Sequence, residues 1–280
     1  MSQTDITGSG VEQVTGEQDV VDEHLAAGRD AMAAVADYDQ AAVDDLARAV
    51  AWGVLQEDRC IDLVAMYDQE TGMGTQAGTR AKLDGLLRQG LTEILGEPSV
   101  GRVDTDRPGV IEVAKPVGVI GALIPSTNPA STAAFLAMMA VKGRNAIVLS
   151  PPPTAVKTAE RTVEYIRDEL ARVDAPRDLV QMVDRPVTRE KAHTLLEKAD
   201  FAHVTGSARN VEAGETAGTP NYCVGAGNAT AVVDETADID ETAGAIATGA
   251  SFDNGAVCTS ESNIVVDERV AADLRDGLRE

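Results

Sequence analysis

The feature that most constrains this chain is an alternation that begins at Gly109 and runs to its end. Short apolar runs of strand length occupy 109–114, 117–124, 146–150, 178–183, 201–204, 230–234 and 263–266. Segments with helical spacing fall at 129–142, 154–173, 189–198, 208–217, 239–251 and 269–278. Apolar strands that alternate with amphipathic helices imply a parallel sheet covered on both faces. The stretch before it, 20–95, has apolar residues at helical spacing and reads as two or three long helices, broken at Thr71-Gly72-Met73-Gly74. The expected fold is therefore α/β: a doubly wound, Rossmann-like parallel sheet behind an N-terminal helical layer. Residues 1–18 are polar and unpatterned and are expected to form a mobile lead.

Composition narrows the class of function. Lys plus Arg total 24 against 46 Asp plus Glu, a formal net charge of −22, and only six of the cations are Lys. Such a surface repels nucleic acid and anionic membrane. The acids recur along the whole chain, as at Asp44-Asp45, Glu57-Asp58 and Asp234-Glu235. Dispersed acid with little Lys suits a protein kept hydrated in concentrated salt, so a halophilic cytosol is expected, against the alternative of an ordinary acidic enzyme. Three cysteines in a chain this long do not make a disulfide framework. No signal peptide and no apolar run of membrane-spanning length is present, which gives the expectation of a soluble, cytoplasmic protein. No metal site is expected.

In open α/β sheets, ligands bind at the carboxyl ends of the strands. Three loops follow predicted strands there. Pro125-Ser126-Thr127-Asn128 leads into Pro129, so Asn128 is either a plain helix cap or an amide available to an oxyanion. Ser150-Pro151-Pro152 forces an extended exit, as a structural loop or as the edge of a phosphate site. Thr205-Gly206-Ser207 lets backbone and ligand approach closely, but it lacks the G-x-G-x-x-G spacing. A fourth loop, Val224-Gly225-Ala226-Gly227-Asn228, precedes a strand and is either a turn or a ligand contact. Of the cysteines, Cys60 lies in a helical pattern and reads as packing, and Cys223 is ambiguous. Cys258 sits in the small, polar loop 252–261, where a nucleophile is better placed than in an apolar run.

Together these segments resemble the aldehyde dehydrogenase superfamily, and most closely its CoA-acylating branch. The resemblance rests on PVGVIGALIPSTNPAST (116–132), KGRNAIVLSPPPTA (142–155), VGAGNATAVVDETADI (224–239) and SFDNGAVCTSESNIVVDE (251–268). It implies an aldehyde dehydrogenase-like fold, with a cofactor-binding domain over 19–240 that includes the helices. It also implies an oligomerisation strand near 108–118 and the start of a catalytic domain at 241–280. It makes Cys258 the nucleophile and assigns oxyanion donation to the Asn128 amide and the Cys258 backbone N–H. NAD or NADP would be held by Pro125, Ser126, Thr127, Ser150, Pro151, Pro152, Thr205, Gly206, Ser207, Val224, Gly225 and Gly227, with coenzyme A as co-substrate and an aldehyde as substrate.

Hydrolytic relatives carry a Glu where this chain has 223–228, without a carboxylate. Attack of water on a thioester needs such a base, whereas a CoA thiolate does not, so acylation is expected over hydrolysis. Relatives also continue well beyond the nucleophile. The expectation is thus a fragment, a truncated product or half of a split enzyme, homo-oligomeric when full length or completed by a C-terminal polypeptide. The alternative is a catalytically silent nucleotide-binding or subunit-pairing module.

Overall fold

A computed structural model describes residues 16–103 and 107–279. Residues 1–15 of the expected mobile lead lie outside the described residues. Its last part is helical, because α1 (Glu17–Ala34) begins at Glu17. The layer holds four helices rather than two or three: α1, α2 (Gln40–Leu55), α3 (Glu57–Thr71) and α4 (Gln76–Leu95). The Asp39 carboxylate caps α2 by accepting from Ala42 N–H at 2.9 Å, and the Thr75 hydroxyl caps α4 by accepting from Gly78 N–H at 2.9 Å. The break between α2 and α3 is the single extended residue Gln56, which carries no Gly or Pro signal.

An antiparallel pair, β1 (Gly101–Val103) and β2 (Glu112–Ala114), links this layer to the main sheet. The sheet is built from β3 (Val119–Leu123), β4 (Ala146–Ser150), β5 (Val180–Met182), β6 (Phe201–Thr205) and β7 (Asn221–Val224). All five strands are parallel, in the order β5-β4-β3-β6-β7. Every residue of β4 is buried, as a strand covered on both faces requires. Helices α5 (Pro129–Lys142), α6 (Val156–Arg172), α7 (Arg189–Lys198) and α8 (Ala208–Thr216) make the crossovers. Helix α6 buries Val156, Ala159, Val163, Ile166 and Leu170, the one-face spacing that packs it under α2. One continuous core joins the helical layer to β3–β5.

Strand order reverses between β3 and β6, so a crevice opens above their carboxyl ends. β7 was not among the expected strands; Val224, expected in a loop, is its last residue. The next strand, β8 (Ala229–Val233), leaves the sheet and pairs in parallel with β9 (Glu261–Val266). These two strands, with α9 (Ile239–Ser251) and α10 (Ala271–Gly277), form a small second module around Val233, Ala243, Ile246 and Leu274. The change of sheet therefore falls at 225–228, between β7 and β8.

Candidate active site

A cleft of about 730 Å³ opens at the reversal point. Four chain segments line it: the exit of β3 (Ile124 to Asn128), the exit of β6 (Thr205 to Ser207), the connection to the second module (Gly225 to Gly227), and the loop Gly255 to Cys258 with Ser260 and Ser262. Thr132, Pro152, Asn210 and, from the helical layer, Met73 and Leu86 complete the lining. The sequence-expected residues Pro125, Ser126, Thr127, Asn128, Pro152, Thr205, Gly206, Ser207, Gly225, Gly227 and Cys258 thus share one space. Ser150 and Pro151 line an adjoining hollow of about 450 Å³ with Thr188 and Arg189; it shares Ile124, Pro152 and Asn210 with the cleft. Val224 lines neither. Its carbonyl accepts from Gly206 N–H at 3.1 Å, so its place is to tie β7 to the β6 exit.

Asn128 precedes α5, yet its side chain makes no cap hydrogen bond and its Oδ1 is buried without a protein partner. Asn128 thus holds the N-cap position through its backbone, with the side chain taking no part in the cap. Ser260 Oγ, on the Cys258 loop that lines the same cleft, is also buried and unpartnered. Orphaned buried polar atoms carry a cost unless a ligand or water meets them. No Asp, Glu, Lys or Arg is among the described residues that line the main cleft. Gly206 lets the chain pass close to Asn210, and only Val211 Cγ2, at 3.8 Å, would face a side chain at Gly225. Both loops therefore offer bare backbone to the cleft. Ser207 opens α8, its hydroxyl accepting from Asn210 N–H at 3.4 Å. The N-terminus of α6 is already engaged: the Glu70 carboxylate accepts from Lys157 N–H, Thr158 N–H and the Thr158 hydroxyl, each at 2.8 Å.

The three thiols differ. Cys60 is buried, and burial pushes its pKa up; burial does the same to half-buried Cys223. Cys258 is exposed, on the cleft side of its loop. Gly227 packs directly on it: a β-carbon there would lie 1.5 Å from the Cys258 carbonyl oxygen.

Sequence reasoning did not find the residues that hold this loop. Asp253 and Asn254 both adopt left-handed backbone, with φ of 53° and 56°. The Asp253 carboxylate is buried, accepts from Thr75 N–H at 2.7 Å, and faces Lys82 Nζ at 2.5 Å in an ion pair rather than a well-directed hydrogen bond. The Asn254 amide donates to the Gly74 carbonyl at 2.7 Å. Gly74 and Gly78 have no β-carbon because Asp253 fills that space, at 2.5 and 2.3 Å from where one would be. The glycines of the α3–α4 turn were the visible signal, read only as a helix break.

Comparison with known proteins agrees with this geometry. The model of the aldehyde dehydrogenase family matches residues 17–280. A sulfoacetaldehyde dehydrogenase (acylating) from Cupriavidus necator is 35% identical over 259 residues, which is 91% of this chain and 52% of that protein. An acetylating aldehyde dehydrogenase from Geobacillus thermoglucosidasius superposes with a TM-score of 0.87 at 30% identity, covering 94% of this chain and 58% of the other. A Rhodopseudomonas palustris propionaldehyde dehydrogenase, solved with bound CoA and an acylated cysteine, superposes with a TM-score of 0.79 at 27% identity, covering 92% and 59%. The chain spans about half the length of the curated relatives it matches. It belongs to the aldehyde dehydrogenase family, and its matches place it with the CoA-acylating branch.

Proposed function

We propose that this chain carries the cofactor side and the nucleophile of an enzyme that converts an aldehyde, CoA and NAD(P)⁺ to acyl-CoA and NAD(P)H. The observation that carries the reading is one cleft lined both by an exposed thiol, Cys258, and by Asn128, whose side chain makes no cap hydrogen bond, with no carboxylate among its described lining residues. The Cys258 thiolate adds to the aldehyde carbon. The Asn128 amide and the Cys258 backbone N–H donate to the oxygen that gains charge, each such donor contributing about 2.7–4 kcal/mol. NAD(P)⁺ held in the cleft would supply the hydride acceptor, and with the hydride gone the acyl group would remain on Cys258 as a thioester. The bare backbone of Gly206 and Gly225, the start of α8 at Ser207, and the loops at Pro125–Thr127 and Pro152 fit a dinucleotide, with Ser150 and Pro151 in the adjoining hollow. With no carboxylate among the described lining residues to activate water, the acyl group passes to the CoA thiolate, and Cys258 leaves as a thiolate.

The dispersed acidity supports a halophilic, intracellular setting, so the assay belongs in molar KCl. NAD(P)H absorbance is followed with propanal and NAD(P)⁺, with and without CoA. The expected result is turnover that needs both CoA and Cys258 and is abolished in Cys258→Ala. Thioester labelling that persists in Cys258→Ala would show the assignment to be wrong. Salt dependence is checked separately: melting temperature should rise steeply with KCl, and a flat response counts against the halophilic reading.

A second reading has its own support. Val232 is 78% exposed and Val265 58% exposed on the second module's sheet, apolar area that a further polypeptide would cover. On that reading the chain is a nucleotide-binding or pairing module. A monodisperse monomer on size-exclusion in high salt argues against it.

A further inference from the structure

The two loops that meet in the cleft belong to different modules. Asn128 ends the exit of β3 in the main sheet, whereas Cys258 precedes β9 in the second module. No strand pairing joins these sheets among the described residues. Both loops are instead gripped by the helical layer, at one place. Lys82 of α4 lies 2.5 Å from Asp253 on the nucleophile loop, and its Nζ also donates to the Thr127 carbonyl at 3.0 Å. The Tyr67 hydroxyl of α3 donates to that same carbonyl at 3.0 Å, and Lys82 lies over the Tyr67 ring at 5.7 Å. Thr127 is the residue before Asn128, so the peptide that carries Asn128 is held by two donors.

We infer that Lys82 is a positioning residue for Cys258 and Asn128, its ammonium shared between the nucleophile loop and the oxyanion loop so that the two keep a fixed relation across the cleft. This rests on the acyl-acceptor reading of Cys258. A buried ion pair contributes little net stability over a well-packed apolar pair, because desolvation offsets the attraction. What it supplies here is direction. The Lys82 side chain is 10% exposed and that of Asp253 is fully buried, and the ammonium's donors reach two separate loops. Burial also raises the Tyr67 pKa, which keeps its hydroxyl protonated and donating. Small displacements of reacting groups are costly, about 100-fold for about 1 Å.

An activated ester tests this without cofactor or CoA. With p-nitrophenyl acetate, the Cys258 thiolate adds to the ester carbonyl, and the C–O bond to p-nitrophenolate breaks. The nitrophenolate departs with the electron pair, and the acetyl group stays as a thioester, read as a stoichiometric burst of colour. Lys82→Met should slow the burst about 100-fold, and Lys82→Arg should recover it to within about tenfold. The half-saturating ester concentration should move less than about threefold, as should alkylation of Cys258 by iodoacetamide, which needs no oxyanion donor. Tyr67→Phe keeps the ring and removes one donor to Thr127, and should slow the burst about threefold to tenfold. It decides the matter if Lys82→Met does not fold. A wild-type burst rate in folded Lys82→Met, or in Tyr67→Phe, overturns the inference, as does equal loss of burst and alkylation. A wild-type chain with no burst, or a burst that survives Cys258→Ala, overturns the acyl-acceptor reading and this inference with it. A burst that needs Cys258 but ignores Lys82 and Tyr67 overturns only the inference.

Discussion

The main sheet and the second module are built from similar strand sequences and end in different physical states. Strand β4, AIVLS, is buried at every position, whereas β9, ESNIVV, is exposed or half-buried throughout. Leu149 in the first is fully buried, and Val265 in the second is 58% exposed. The main sheet has helices on both faces and shares its core with α1–α5. The second module has only α9 and α10, and its cluster of four buried residues is its own. The difference teaches where rigidity comes from. The loop at the exit of β3 stands on that continuous core, and the exit of β6 on a smaller buried cluster of Leu123, Leu196, Ala202 and Val204. The nucleophile loop takes its position from a few directed contacts: Asp253 with Lys82 and Thr75, Asn254 with Gly74, and Gly227 against its backbone.

If that contrast holds, the largest effect should come from a single methyl group pressed against the nucleophile loop from the neighbouring connection. Gly227→Ala places a methyl group 1.5 Å from the Cys258 carbonyl oxygen, so the loop must move. Acylation of Cys258 should fall by about 100-fold or more, with the melting temperature little changed. An unaffected rate would show that the loop is not held there. Stability should show the opposite bias. Leu149→Ala should cost about 2–5 kcal/mol by denaturant titration in high salt, whereas Val265→Ala should cost below about 1 kcal/mol. Equal losses would break the comparison. Between them lies Glu70, whose carboxylate takes three hydrogen bonds at the start of α6. Glu70→Ala should cost about 1–2 kcal/mol without altering acylation, since it anchors the helical layer to the main module.

The same contrast explains how much could be read from the sequence. The bounds 129–142, 146–150, 189–198 and 239–251 match the observed elements because continuous apolar runs or clean helical spacing mark them. Strand β7, NYCV, escaped because it is an edge strand with mostly exposed residues, so burial left no pattern in it. The α2–α3 break escaped because Gln56 bends the chain without Gly or Pro. The cleft's loops were legible as small residues after strands, and their convergence follows from strand order. The tie through Lys82, Asp253 and Tyr67 was not. It depends on contacts between segments far apart in the chain, and a lone Lys or Asp carries no local sign of its partner.

The smallest expected effect probes the border of the main sheet, where β6 meets the edge strand β7. His203 on β6 is half-buried, its Nδ1 has no hydrogen-bond partner, and its ring lies 5.7 Å from that of Tyr222. Burial holds its pKa below the ordinary 6.5. The folded state therefore favours the neutral ring, whereas the unfolded chain takes up a proton as pH falls through about 6.5. The unfolded state then binds more protons, so stability drops as pH falls below that value, until the folded ring titrates as well. In His203→Gln this contribution is absent. The melting temperature of the wild-type chain should fall more than that of the variant between about pH 7.5 and about pH 5.5. Parallel slopes would mean that the ring is hydrated in the fold, and that the edge of the main sheet behaves like the open second module rather than like the core at β4.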